Sequence, residues 1–217
     1  MDAVRTAGAA TRVVMTSSTA AVFKRLVEPG HVYDEQDWTD PIELAERKLW
    51  YSIAKTKQER AAWAWMESEK PSFSLVCLNP TMIAGGPARQ PTLNASLENV
   101  RDLCNGSSAT VSNFNMPWVH LLDVVDAHVA AAENDAANGR YLILASWAPL
   151  TQSAQAIKDL NFAGLTVPTQ LAEGQIPVAV ALFDSSRVEK ELLGRKLRNL
   201  SECMGDAVTA LIKWGHL

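Results

Sequence analysis

Tyr51 and Lys55 stand four residues apart in a run, Trp50 to Ala64, whose apolar spacing is helical. Residues four apart share one helix face, so a phenol and an ammonium can point into one cleft. A free phenol, with a pKa of about 10, is a poor proton donor or acceptor near neutrality. An ammonium about 4 Å away, at an effective dielectric of about 20, stabilises a phenolate by roughly 4 kcal/mol. The pair therefore has the makings of a general acid/base. A Tyr-x-x-x-Lys also arises in helices by chance, so the surrounding elements must decide whether this one is a site.

Those elements read as α/β. Arg12-Val-Val-Met15 is a short β-branched run of buried-strand type, and Thr16-Ser17-Ser18 ends it at the edge where α/β proteins bind ligands. After a loop rich in Pro, Gly and Asp over 24–40, Asp40-Pro41-Ile42-Glu43 combines a capping residue, a proline at the first helical position and a glutamate three after the cap. The pattern predicts one long helix from there, carrying Tyr51 and Lys55 and stopping before Pro71. Phe73-Ser-Leu-Val-Cys-Leu78 is the next buried strand, closed by Asn79-Pro80. Two strands joined by a helix make a parallel crossover.

Further along, 83–92 reads as loop and 94–104 as a helix ended by Asn105-Gly106. Trp118-Val119 and Tyr141-Leu-Ile-Leu144 read as strands flanking a helix from Asp123 to about Asn134, with Asp123 as its cap. Between 145 and 180 the pattern is weak, with one helix over 151–160. The runs 187–193 and 201–214 are amphipathic, stopped by Gly194 and Gly215. The fold class is α/β: a partial Rossmann-type parallel sheet with flanking helices and a small C-terminal substrate lobe. One incomplete domain is expected over 1–217, with 1–87 and 117–145 as its core and 88–116 and 146–217 as substrate lobe and C-terminal helices.

Composition limits the partners. The 217 residues carry a net charge of -4, which argues against nucleic acid or an anionic membrane surface. No apolar run reaches membrane-spanning length. Cys77, Cys104 and Cys203 are odd in number and lack metal-ligand spacing, so no metal site is expected, and reduced thiols in a cytoplasmic protein are.

Ser18, Tyr51, Lys55 and Asn79-Pro80-Thr81 converge on the strand ends, as a carbonyl reductase requires. A hydroxyl holds the substrate oxygen, a phenol protonates it, and a lysine tunes the phenol, while the hydride must come from a nicotinamide. At these residues the chain resembles the extended short-chain dehydrogenase/reductases, in particular the dihydroflavonol reductase and cinnamoyl-CoA reductase group. The matching stretches are Arg12-Val-Val-Met-Thr-Ser-Ser18, Trp50-Tyr-Ser-Ile-Ala-Lys-Thr56 with Glu59, and Asn79-Pro-Thr-Met-Ile83 with Gly85. Gln90-Pro-Thr-Leu-Asn-Ala-Ser96, the run from Trp118 to His128, Gly139-Arg-Tyr141 and Phe183-Asp-Ser-Ser186 follow in order. The resemblance implies Ser18, Tyr51 and Lys55 as the catalytic set. It implies NADP or NAD as cofactor, with Tyr51, Lys55, Pro80, Thr81, Met82 and Ile83 around the nicotinamide and Ser96 on a phosphate or ribose. The substrate would be a small carbonyl compound or alcohol. Ser17 faces away in this alignment, and a one-residue slip exchanges the two serines.

Three departures temper the resemblance. No G-x-x-G-x-x-G or G-x-G-x-x-G occurs, and Gly8 is the only glycine before Gly30, so the nucleotide-binding half is expected to be absent. At about 30 residues per βαβ unit, that is roughly 60 to 100 residues. Its loss leaves the Arg12 strand as an exposed edge, which predicts an apolar surface there and self-association through it. Phe23 stands where dihydroflavonol reductases carry a polar residue, and Leu49-Trp-Tyr-Ser52 replaces the Asn-Trp-Tyr-Cys of cinnamoyl-CoA reductases. A generic aldehyde or ketone reductase is the resulting expectation. The alternatives are a non-catalytic remnant or interaction protein, and an epimerase or hydroxysteroid dehydrogenase sharing the Tyr-Lys pair. His120 and His128 are expected to serve packing, while Trp147 and Phe162 fall where relatives help form the substrate pocket.

Overall fold

A computed structural model describes residues 1–24, 28–86 and 92–217. In chain order the elements are α1 (Asp2–Ala7), β1 (Arg12–Thr16), a 3-10 turn (Thr19–Ala21), β2 (Val32–Tyr33), α2 (Pro41–Ala45), α3 (Trp50–Glu69), β3 (Ser74–Pro80) and β4 (Met82–Ala84). There follow α4 (Ala95–Cys104), β5 (Asn115–His120), α5 (Leu121–Glu133), β6 (Gly139–Ile143), β7 (Ser146–Pro149) and α6 (Leu150–Asp159). The chain closes with β8 (Leu182–Phe183), α7 (Ser186–Val188) with a π turn (Glu189–Leu193), and α8 (Leu200–Lys213). Of the loop expected over 83–92, residues 87–91 lie outside the described residues, and 82–84 form β4 instead.

The chain divides into two compact units. The first comprises 1–81, 125–143 and 182–196. Its sheet has the order β1-β3-β6 with every pair parallel, Val13 opposite Leu75 and Leu78 opposite Tyr141. The central strand β3 is buried from Leu75 to Pro80, whereas β1 is half-buried and has β3 as its one ladder neighbour among the described residues. That is the open edge expected from the sequence. At its start the Arg12 guanidinium donates to the carbonyls of Ala131, in α5, and of Asp135, just past the end of that helix, at 3.1 and 3.0 Å.

The single helix expected from Pro41 is two. Asp40 caps α2, accepting from the Ile42 amide at 2.8 Å, but Lys48 turns left-handed at φ 55 and the chain restarts as α3. A left-handed lysine costs energy that nothing in its residue type announces. From Trp50 onward α3 runs twenty residues without Gly or Pro, burying Ile53, Thr56, Glu59 and Ala62, and ends at left-handed Lys70 before Pro71.

The second unit comprises 82–124, 144–181 and 197–217. Here β4 pairs parallel with β5, and β5 antiparallel with β7. Trp118, Leu103, Ile157, Met204 and Leu211 belong to one apolar cluster contributed by the sheet and by α4, α6 and α8. The cap expected of Asp123 belongs to another residue: the His120 ring accepts from the Leu122 amide through Nδ1 at 3.0 Å. Asp123 instead accepts from the Arg198 amide at 2.7 Å and pairs with its guanidinium. In the first turn of α5, the Asp123 carboxylate thus takes both the backbone amide and the guanidinium of one arginine, a charge-assisted pairing.

His120 also fixes the path of the preceding strand. Gly85 has φ +81, and a Cβ there would meet His120 Nε2 at 2.6 Å. Gly85→Ala should therefore destabilise the protein by about 2 kcal/mol or more, combining a strained φ with a clash against a buried ring. Urea unfolding measures this, and an unchanged midpoint would contradict the packing described.

Candidate active site

The site residues of the first unit gather where β1 ends. The Ser17 amide donates to Leu78 O at 2.8 Å, extending the β1–β3 pairing by one residue. Strand alternation then separates the two serines. The Ser17 hydroxyl donates inward to the Glu59 carboxylate, while Ser18 caps the 3-10 turn, its Oγ accepting from the Ala20 amide at 3.1 Å. The turn is braced by Thr39, whose amide donates to Ala21 O at 3.0 Å and whose hydroxyl lies 2.9 Å from the carbonyl oxygens of Ala20 and Phe23.

From the other side, α3 packs on this turn. Lys55 Nζ donates to Thr16 O at 3.2 Å, two residues before Ser18. Tyr51, one helical turn earlier, is 63% exposed, and its hydroxyl makes no hydrogen bond among the described residues. The structure thus brings Lys55 to the strand end beside the serine turn and leaves the Tyr51 phenol open to solvent.

One turn beyond Lys55 on the same helix lies Glu59, 0% exposed. One carboxylate oxygen accepts from Ser17 and, at 2.8 Å, from Asn79 Nδ2; the other accepts from Arg140 Nε at 2.6 Å. Asn79 Nδ2 also lies 3.2 Å from Ser18 O. Arg140 continues the network to the carbonyls of Glu35 and Asp37 at 2.7 and 2.6 Å, with its guanidinium over the Trp38 ring at 3.7 Å. The sequence places Asn79 at the strand end that helps form the site, but it assigns Glu59 and Arg140 no role. The signal was a glutamate four residues after Lys55, among the buried positions of α3 that include Ile53 and Thr56.

Two further carboxylates border this network. Burial pushes the Glu35 carboxyl above its usual range although it accepts from the Leu142 amide at 3.1 Å. Burial acts on Asp37 in the same direction, but Lys24 at 2.6 Å, the Asp34 amide at 3.2 Å and His31 at 2.9 Å outweigh it and hold Asp37 below its usual range.

The remaining expected residues divide between the units. Pro80 ends β3, buried, and the Thr81 amide donates to Ile143 O at 3.3 Å. Met82 and Ile83 belong to the second unit, opposite Trp118 and Val119 in β4–β5, and there the Ser96 hydroxyl lies 4.0 Å from the Met82 sulfur. The cysteines are free and buried; burial pushes Cys104 up to about 11 and Cys203 up to about 12, so neither is a thiolate near neutrality. Among the described residues no group of three His, Cys, Asp or Glu could hold a metal ion.

Residues 1–143 match the NAD dependent epimerase/dehydratase family. The chain belongs to that family. It is 32% identical over 202 residues to a cinnamoyl-CoA reductase of Medicago truncatula, covering 92% of this chain and 60% of that protein. To tetraketide alpha-pyrone reductase 1 of Arabidopsis thaliana it is 30% identical, covering 95% of this chain and 61% of that protein. Among solved structures, vestitone reductase from alfalfa superposes with a TM-score of 0.79 at 23% identity, over 95% of this chain and 66% of that one, which bears on fold alone. The yeast methylglyoxal/isovaleraldehyde reductase Gre2, complexed with NADPH, gives 0.73 at 25% identity over 95% and 65%. The chain spans about 60% of the length of these curated relatives. Their shared Rossmann-like reductase fold agrees with the α/β reading.

Two outcomes follow for the network. Glu59→Ala strands a buried guanidinium and should cost about 3–5 kcal/mol in urea unfolding. Glu59→Gln, which keeps the hydrogen-bonding shape, should cost less. Asp37 has the lower pKa in the folded state, so its contribution is full above its ordinary value of 3.8 and is lost as pH falls through the folded value. Asp37→Asn should therefore lose stability near neutrality and show a shallower acid-side fall than wild type in urea unfolding from about pH 5 to about pH 2.5.

Proposed function

We propose that this chain carries the proton-transfer and substrate-holding portion of an NADP-dependent reductase that interconverts a small carbonyl compound and its alcohol. The observation that carries this reading is the Lys55 ammonium seated on Thr16 O at the end of β1, beside the Ser18 turn and one helical turn from an exposed Tyr51. The residues suit the nicotinamide end of a cofactor: an ammonium for ribose hydroxyls, a reachable phenol, and the β3 end at Pro80 and Thr81. For the pyrophosphate they do not suit it, because the sequence contains no glycine-rich phosphate turn.

Each side chain then has a task. Ser18 Oγ accepts from the Ala20 amide, which leaves its own proton to donate to a substrate oxygen. Tyr51 gives its proton to that oxygen, or takes one in the reverse direction, and Lys55 stabilises the phenolate left behind. A bound nicotinamide supplies the hydride. Pro80, Thr81, Met82 and Ile83 would flank its ring, and Ser96 would meet a phosphate or ribose. No helix among the described residues is long and apolar enough to cross a membrane, and three buried free thiols support a cytosolic setting. The name of the yeast methylglyoxal/isovaleraldehyde reductase supports an aldehyde as substrate.

A second reading rests on the open edge. Beside half-buried β1, α5 exposes Val125 at 45% and Val129 at 50%, with Thr16 Oγ1 and His128 Nε2 joining strand to helix at 2.7 Å. Such an edge favours pairing with a second copy.

Calorimetric titration with NADPH and NADH tests the first reading. Binding in the micromolar range, tighter for NADPH and weakened about tenfold or more by Lys55→Ala, is expected. No heat with a folded chain would leave Tyr51 and Lys55 as ancestry without function. Sedimentation tests the second: a dimer that Val129→Lys converts to monomer is expected, and a monomeric wild type would remove edge pairing.

A further inference from the structure

A cavity of the second unit shares no residue with the acid/base site. In the second unit α6 ends where Asn161 turns left-handed at φ 54, its amide donating to Lys158 O at 3.0 Å. The chain turns again at Gly164, and Thr166 forms a parallel bridge with Asn105, which fixes the returning segment. Between them is a cavity of about 210 Å³ lined by Ile157, Lys158, Asn161, Phe162, Leu165 and Val167. At about 30 Å³ per water it would hold roughly seven waters, or a ring or chain of about six carbons.

Its chemistry is two-sided. Ile157 is 1% exposed within the apolar core of the unit, and Phe162, Leu165 and Val167 pack against the same core. Lys158 and Asn161 supply an ammonium and a carboxamide whose side chains make no ion pair or hydrogen bond among the described residues. The acid next in sequence, Asp159, is turned onto Gln155, accepting from its Nε2 at 2.6 Å. The last carbonyls of α6 carry partial negative charge that opposes an anion, so the attraction for one rests on the Lys158 ammonium.

We propose that this cavity binds a small amphipathic carboxylate, its apolar tail on Ile157, Phe162, Leu165 and Val167 and its carboxylate on Lys158 and Asn161. The site is separate from the proposed reductase chemistry and stands or falls without it. Hexanoate is the probe, with hexan-1-ol and hexylamine beside it, followed by ligand-observed NMR titration of the full chain. Saturable binding of hexanoate, weaker binding of hexanol, and weakest binding of hexylamine are expected. Lys158→Ala should weaken hexanoate about tenfold and raise the relative affinity for hexylamine, and Lys158→Arg should restore hexanoate binding. Leu165→Trp, which fills the cavity, should abolish it, with circular dichroism reporting whether that variant folds. Absence of saturable hexanoate binding overturns the proposal, as does equal binding of hexanoate and hexanol unaffected by Lys158→Ala.

Discussion

A carboxylate taken wholly out of water must be paired on every side or it unfolds what surrounds it. Glu59 is such a group, and the first unit is built to satisfy it. Ser17 comes from the end of β1, Asn79 from the end of β3, Arg140 from β6 and Glu59 itself from α3. Four elements separated by up to 123 residues of chain, from Ser17 to Arg140, therefore agree on one register. The helix can neither rotate nor slide without stranding the charge. That fixes Lys55, one turn earlier, on the Thr16 carbonyl, and Tyr51 one turn before that.

The same network explains how a surface turn is held without being buried in apolar side chains. Ser18 O is touched by Asn79 and the following carbonyls by Thr39, so the backbone conformation of the turn is set by polar contacts from two directions. Arg140 holds the neighbouring segment in the same way, through the carbonyls of Glu35 and Asp37. A site of this kind is pre-positioned by hydrogen bonds to backbone, which have direction, where apolar packing has none.

Much of the sheet was legible because buried parallel strands announce themselves as β-branched runs bounded by turn residues: Arg12–Thr16 and Ser74–Pro80 lie close to where their patterns place them. The pairing of Tyr51 with Lys55 on one face was legible from spacing alone. Ser17 and Ser18 were not separable by sequence, since their roles depend on a one-residue register that only strand pairing sets. The break at Lys48 was hidden because lysine is a good helix former and tertiary packing overrode it. β7, Ser146–Pro149, escaped because a four-residue strand ending in proline has too little period to detect. Residue type does not mark Glu59 as buried, and its position among the buried residues of α3 does.

The histidine that begins α5 illustrates how a hydrogen-bond pattern settles reactivity. Because His120 Nδ1 accepts from the Leu122 amide, the ring proton must reside on Nε2, where it is donated to Asp206 at 3.0 Å. Both imidazole lone pairs are therefore spoken for, one in the aromatic ring system and one in the helix cap. A fully buried histidine so disposed is held by a backbone amide on one ring nitrogen and by a carboxylate on the other. Its residue type suggests chemistry, but its surroundings have made it an inert structural peg.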